Sequence, residues 1–312
     1  MKLRRRSLMK IIHTKDQQPI SQFSLGMMNL PLDNKIEVEA IIEYALSVGI
    51  NYFDTADLYQ FGDNEKVVGE ILSKYRSQYN FTVGTKVGNK FNEMKREQIG
   101  WNPSKKHIIE SVKDSLQRLN VSSIDLYQLH GGTIEDNKDE TIEAFESLKQ
   151  EGIIKSYGIS SIRLNVIDYY AKNSNISTLM SQFNILDNRP LETLDMIQDD
   201  IVMLARGPLM QGLLTDKYLE VLSKKHKGGV LGINKDELVN QLSTLQEKYD
   251  SLTELSYSFL KYHNAVIVNG VSSLEQLKEN VTAFNNASSL DASEYDDLYK
   301  QLNILKYEEH RP

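Results

Sequence analysis

The chain of 312 residues has no cysteine, one tryptophan and six prolines. Without cysteine there is no disulfide, no thiolate nucleophile and no zinc–sulfur site, and the composition suits a reducing compartment. No apolar run approaches the roughly 18 residues of a membrane span. A formal net charge of −7 and a pI near 5.5 argue against a general nucleic-acid binder, which would carry a basic face or stripe. No proline- or glycine-rich linker divides the chain, and no short repeat is visible. The start, MKLRRRSLMK, resembles a twin-arginine export signal. Export, however, needs about 7–15 apolar residues after the charges, and here only Ile11 and Ile12 precede His13. Residues 1–8 are therefore read as a short basic extension. The protein is expected to be cytoplasmic, with neither membrane nor nucleic acid among its partners and with its oligomeric state open.

What is present is an alternation. Apolar, β-prone runs at 23–28, 51–54, 81–86, 124–129, 154–159, 178–182, 201–205 and 265–268 are separated by amphipathic stretches such as 35–49 and 104–120. Apolar residues recur in those stretches at three- and four-residue spacing, and Ser104 stands where the second would be capped. Strands alternating with helices predict a parallel sheet, and eight of them in a chain of this length predict a (β/α)8 barrel (a TIM barrel) in a single domain over 1–312. An open doubly wound sheet would place a glycine-rich phosphate turn after the first strand; this chain has NLPLDN there. Residues 8–25 are expected to form an N-terminal β-hairpin closing the barrel floor. Residues 219–232 carry a basic cluster and glycines, and are read as a loop that is either a lid over the active face or a surface connection.

Asp54, Lys86 and His130 each fall at the end of one of these runs, and Tyr59 follows in YFDTADLYQFGDNE. Each would lie near the top of a different strand or just after it. Together they supply what proton delivery to a carbonyl oxygen requires. A phenol donates poorly at neutral pH unless a neighbouring ammonium favours the phenolate, a carboxylate can hold that ammonium in place, and an imidazole can orient the substrate oxygen. No metal is needed, and no His-x-His or HExxH pair suggests one. Taken singly, each residue has an ordinary reading, such as a turn-forming Asp54 or a solvated Lys86. Only their joint placement points to a site.

The segments NYFDTADLYQFGDNEKVVGE and LQRLNVSSIDLYQLH resemble the two signatures of the aldo-keto reductase family, and the similarity runs from about residue 25 to 280. It implies an oxidoreductase that reduces an aldehyde or ketone with a nicotinamide cofactor, with Asp54, Tyr59, Lys86 and His130 as catalytic tetrad and Tyr59 as general acid. It further implies that Ser160, Ser161 and Gln182 hold the carboxamide, and that Gly207, Pro208, Leu209 and Gly212 belong to the loop beneath the diphosphate. Gly270, Ser272, Gln276, Glu279 and Asn280 would line the adenosine. Three positions depart from the family pattern. Ser161 replaces an asparagine, and Arg206 stands where an aromatic ring commonly stacks on the nicotinamide. No lysine or arginine occupies 270–276 to grip a 2′-phosphate, and only Lys278 is near. The resemblance implies NADP(H), with NAD(H) as the alternative. A cofactor-binding regulatory subunit of the same family would share these residues. A phosphate-handling barrel of another family would use NGVSS at 269–273 but give the Asp–Tyr–Lys–His set no purpose. The substrate walls are expected from Met28, Leu30, Leu58, Trp101, the loop after His130 and the C-terminal tail.

Overall fold

The computed structural model describes residues 9–197 and 200–308; the basic extension at 1–8 lies outside them. Twelve strands occur among these residues: β1 (Ile11–His13), β2 (Pro19–Ser21), β3 (Phe23–Gly26), β4 (Tyr52–Asp54), β5 (Thr82–Val87), β6 (Asn89–Asn92), β7 (Glu97–Trp101), β8 (Ile124–Leu129), β9 (Ile154–Ser160), β10 (Thr178–Gln182), β11 (Val202–Arg206) and β12 (Val266–Gly270). Eight of them close a parallel barrel in the order β3-β4-β5-β8-β9-β10-β11-β12, with β12 pairing back to β3. The eight expected runs are these eight strands, displaced by no more than two residues at any end.

The helices are α1 (Lys35–Ser47), α2 (Asp63–Ser73), α3 (Lys105–Leu119), α4 (Lys138–Gln150), α5 (Leu164–Asn173), α6 (Leu191–Leu194), α7 (Tyr218–Lys225), α8 (Lys235–Lys248), α9 (Leu252–Tyr262), α10 (Leu274–Asn286) and α11 (Ala292–Tyr299). None of them is long and apolar enough to cross a membrane. Ser104 caps α3, its side chain accepting from His107 N as its place in the sequence predicts.

The expected hairpin is present as β1 and β2, paired antiparallel. Its Ile20 is fully buried in a small apolar cluster with Tyr52, Leu126, Met180, Leu204 and Val266, and Ile12 packs on the same group. Asn51 Oδ1 accepts from Ser21 N at 2.6 Å, and Thr82 Oγ1 donates to Pro19 O at 2.8 Å, tying the hairpin to β4 and β5. One end of the barrel is thereby plugged with hydrocarbon, and polar chemistry is left to the other.

One sequence expectation is corrected. Residues 219–232 are not a continuous loop: α7 runs through Lys225, with Leu222 buried and Lys224 paired to Glu220 at 2.6 Å. A glutamate four residues before a lysine supports a helical turn, and here it outweighs the irregular look of the basic cluster. The stretch after β5, which the sequence reading left unassigned, forms a second hairpin, β6–β7, with an irregularity between Lys90 and Phe91. Its strands are short and largely exposed, so they carry no long apolar signal in the sequence.

Candidate active site

Asp54 ends β4 and Lys86 sits one residue before the end of β5; both are buried, at 3% and 1% exposure. Their register places them on the same mouth of the barrel, because parallel neighbours bring their C-terminal ends together. Lys86 Nζ donates to Asp54 Oδ2 at 2.6 Å, to Thr55 O at 2.7 Å and to Tyr59 Oη at 3.4 Å. Burial works against the ammonium, but Asp54 and then Tyr59 outweigh it and hold Lys86 above the ordinary lysine range. On its far side Asp54 accepts from Tyr52 Oη at 3.1 Å. That hydroxyl reaches the barrel axis because residue 84 is glycine; a Cβ there would lie 2.3 Å from it.

Tyr59 is placed by a strained turn. Gln60 and Phe61 have φ of 47° and 57°, and Gly62 follows at 92° before α2 begins. The Gly-x-Asn-Glu phrase fixes this turn. Asn64 Nδ2 donates to Met27 O at 2.8 Å, Asn64 Oδ1 accepts from Thr55 Oγ1 at 2.7 Å, and buried Glu65 accepts from Thr85 Oγ1 at 2.6 Å and from Arg118 Nε at 2.7 Å. Asp54 and Tyr59 therefore come off the same strand, β4, so the four residues are drawn from three strands rather than four. His130 follows β8, held by its backbone N–H to Val87 O at 2.7 Å. Its ring meets the Tyr59 ring edge-on at 5.8 Å between centroids. Burial, then the charges of Lys86 and Arg206, lower the His130 pKa to about 3, so the imidazole is neutral at physiological pH.

Ser160, Gln182 and Arg206 end β9, β10 and β11 side by side on the same mouth, with Ser161 next to Ser160. Arg206 Nη1 donates to Gln182 Oε1 at 3.1 Å, and Ser161 Oγ accepts from Arg163 N at 3.2 Å. Gly207, Pro208 and Leu209 lead into a tight turn ending at Gly212, whose φ is 97°. Gly270 closes β12, and Ser272 and Gln276 bond to each other at the first turn of α10, Ser272 N to Gln276 Oε1 at 2.8 Å. Glu279 is exposed on α10. Asn280 is buried and donates to Asn269 Oδ1 at 3.0 Å, so its amide already has a partner in the fold. Two features absent from the sequence reading lie here as well: Asp136, which binds Trp101, and the buried group of Asp57, Glu65 and Arg118 behind Lys86. The Asp57 carboxyl is pushed well above the usual range by burial and then by Glu65. The phrase DTADLY contains Asp57, but nothing in its spacing distinguishes a buried acid from a turn residue.

Against known families, residues 22–302 match the model of the aldo/keto reductase family. The chain belongs to the aldo/keto reductase family. It is 45% identical over 298 residues, covering 94% of this chain and 96% of the other, to the uncharacterized oxidoreductase YqkF of Bacillus subtilis (strain 168). It is 30% identical to the NADH-specific methylglyoxal reductase of Escherichia coli (strain K12), over 85% of this chain and 88% of that one. Among solved structures, the aldo-keto reductase AKR11C1 from Bacillus halodurans in its holo form superposes with a TM-score of 0.87 at 41% identity, over 97% of this chain and 100% of that one. Closed-barrel aldo-keto reductases are oxidoreductases acting on small carbonyl compounds, and the present chain shares their fold and family.

Proposed function

We propose that this aldo-keto reductase reduces an aldehyde or ketone to an alcohol with a nicotinamide cofactor, and that Tyr59 is the general acid. The observation that carries the reading is the double engagement of Lys86 Nζ, bonded to Asp54 at 2.6 Å and to the Tyr59 oxygen at 3.4 Å. A reduced nicotinamide supplies a hydride when bound. The chain supplies the proton. Tyr59 donates its hydroxyl proton to the carbonyl oxygen, the Lys86 ammonium compensates the negative charge left on Tyr59, and Asp54 holds that ammonium in line. Neutral His130, edge-on to Tyr59, donates a hydrogen bond that orients the carbonyl oxygen.

The cofactor fits the donor set at the mouth. Ser160, Ser161 and Gln182 offer hydroxyl and amide groups for a carboxamide, and the planar Arg206 guanidinium can lie on a nicotinamide face. Gly207 to Gly212 and the α10 end, including Gly270, Ser272, Gln276, Glu279 and Asn280, would take the diphosphate and adenosine. At that end Lys278 lies over the Tyr44 ring at 5.7 Å, and the Glu37 carboxylate accepts from Leu274 N at 2.7 Å. With no lysine or arginine at 270–276 and the Glu37 carboxylate beside Leu274, NADPH is expected to be preferred over NADH only modestly. The NADH specificity of the Escherichia coli methylglyoxal reductase agrees with a family member working on NADH.

Titration of the purified protein with NADPH and with NADH, read by fluorescence, tests cofactor use before any substrate is known. Tyr59→Phe should then bind cofactor as the parent does and lose carbonyl reduction by at least about a hundredfold. A Tyr59→Phe protein that reduces an accepted aldehyde at the parent rate would sink the assignment.

A further inference from the structure

The loops rimming the mouth are tied together through a single indole. Trp101, the only tryptophan, ends β7 and lays its benzo ring on the backbone of Gly88 and Gly131. These glycines stand just beyond Lys86 and His130. A Cβ at Gly88 would lie 2.5 Å from Trp101 Cζ3 and one at Gly131 3.3 Å from Cη2, and both glycines have positive φ, +126° and +141°. The ring therefore occupies space that any other residue at 88 would take.

The indole N–H is already committed. Nε1 donates to Asp136 Oδ1 at 3.0 Å and to Oδ2 at 3.1 Å. The same carboxylate accepts from Thr133 N at 2.6 Å and from Thr133 Oγ1 at 2.7 Å, so it is anchored in its own loop. Arg163, from the loop after β9, donates to Gly132 O at 2.6 Å and braces that loop from the other side. Hydrogen bonds to a charged acceptor are about twice as strong as neutral ones. A substrate hydroxyl would have to compete with a carboxylate for this donor.

We propose that Asp136 is a positioning residue for carbonyl reduction. It latches Trp101 as an apolar wall beside Lys86 and His130 and withholds the indole N–H from substrate. The pocket accordingly selects carbonyl compounds bearing an apolar substituent over polyhydroxylated ones. The proposal rests on the reductase reading above.

The test compares the parent, Asp136→Ala and Asp136→Asn using benzaldehyde and glyceraldehyde at saturating cofactor, with tryptophan emission recorded alongside. Asp136→Ala should shift the emission to longer wavelength. It should raise KM for benzaldehyde about tenfold with kcat within about twofold, while glyceraldehyde kcat/KM stays level or rises. Asp136→Asn, whose amide oxygen can still accept from the indole, should restore most of the selectivity. Because Asp136 acts through Trp101, adding Asp136→Ala to Trp101→Phe should change selectivity no further, a non-additivity that a general loss of folding would not give. Unchanged emission in Asp136→Ala, an unchanged selectivity ratio, or an equal fall in kcat for both aldehydes overturns the proposal. If the parent binds no nicotinamide cofactor, the reductase reading fails. If it binds cofactor and reduces both aldehydes with no preference for benzaldehyde, the latch proposal alone fails.

Discussion

Around Lys86 the polar groups are sealed inside the barrel, whereas at the first turn of α10 they face water and bond to one another. Lys86 and Asp54 are 1% and 3% exposed and share a 2.6 Å contact; Ser272 and Gln276 are exposed and satisfied by each other. The difference is one of tolerance. A buried ion pair is held in place by desolvation, because losing one partner strands the other charge in a low-dielectric interior. An exposed helix end can exchange its side chains at little cost, so residues there can change while the buried pair at the strand ends stays fixed.

Breaking the buried side should give the largest effect. Lys86→Met is expected to lower carbonyl reduction by at least about a hundredfold and to destabilise the fold by about 3–5 kcal/mol, since Asp54 is left buried and unpaired. The double variant Asp54→Leu/Lys86→Met should recover much of the melting temperature without recovering turnover. If thermal melts show no loss in the single variant, the pair is not the tightly held contact described here.

On the exposed side, Glu37→Gln removes the carboxylate that caps Leu274 N. Dissociation constants from fluorescence titration should show NADPH binding strengthened roughly three- to tenfold, as expected for relieving one partly screened like charge, with NADH changed by less than about twofold. A NADPH-to-NADH ratio identical to the parent's would mean that the 2′-position lies elsewhere.

A third test sharpens the buried side through pH. His130 has a folded pKa of about 3, against 6.5 for an unfolded histidine. Below pH 6.5 the unfolded chain takes up a proton that folded His130 does not accept until near pH 3. Its contribution to stability is therefore fully present above pH 6.5 and falls as the pH drops from there toward 3. His130→Gln, which cannot titrate, should lose less stability than the parent between pH 7 and 5, by on the order of 1–2 kcal/mol. Denaturant melts at the two pH values measure it, and equal losses in both proteins would show that His130 is not sheltered from protonation.

The periodic parts of the fold were legible because they obey short-range rules. Each of the eight barrel strands is a compact apolar run, and Ser104 before the three-four spacing of α3 predicts its cap. The grouping of Asp54, Tyr59, Lys86 and His130 was legible for a different reason: a strand end is a position in sequence as well as in space. The hairpin β6–β7 and the helix α7 were missed because exposed short strands and a salt-bridged helix lack a distinctive apolar pattern.

By itself the sequence determined the eight-strand alternation, the plugging hairpin and the set Asp54, Tyr59, Lys86 and His130, since these depend on residue type and local order. Only the tertiary structure decided that Lys86 bridges Asp54 to Tyr59 and that Tyr52 reaches Asp54 through the space left by Gly84. It also decided that Asp136, 35 residues after Trp101, accepts the hydrogen bond of the indole N–H, and that Glu37, 237 residues before Leu274, caps α10. Those contacts join positions far apart in the chain. They exist only once barrel closure brings β12 beside β3 and sets the loops of neighbouring strands against one another.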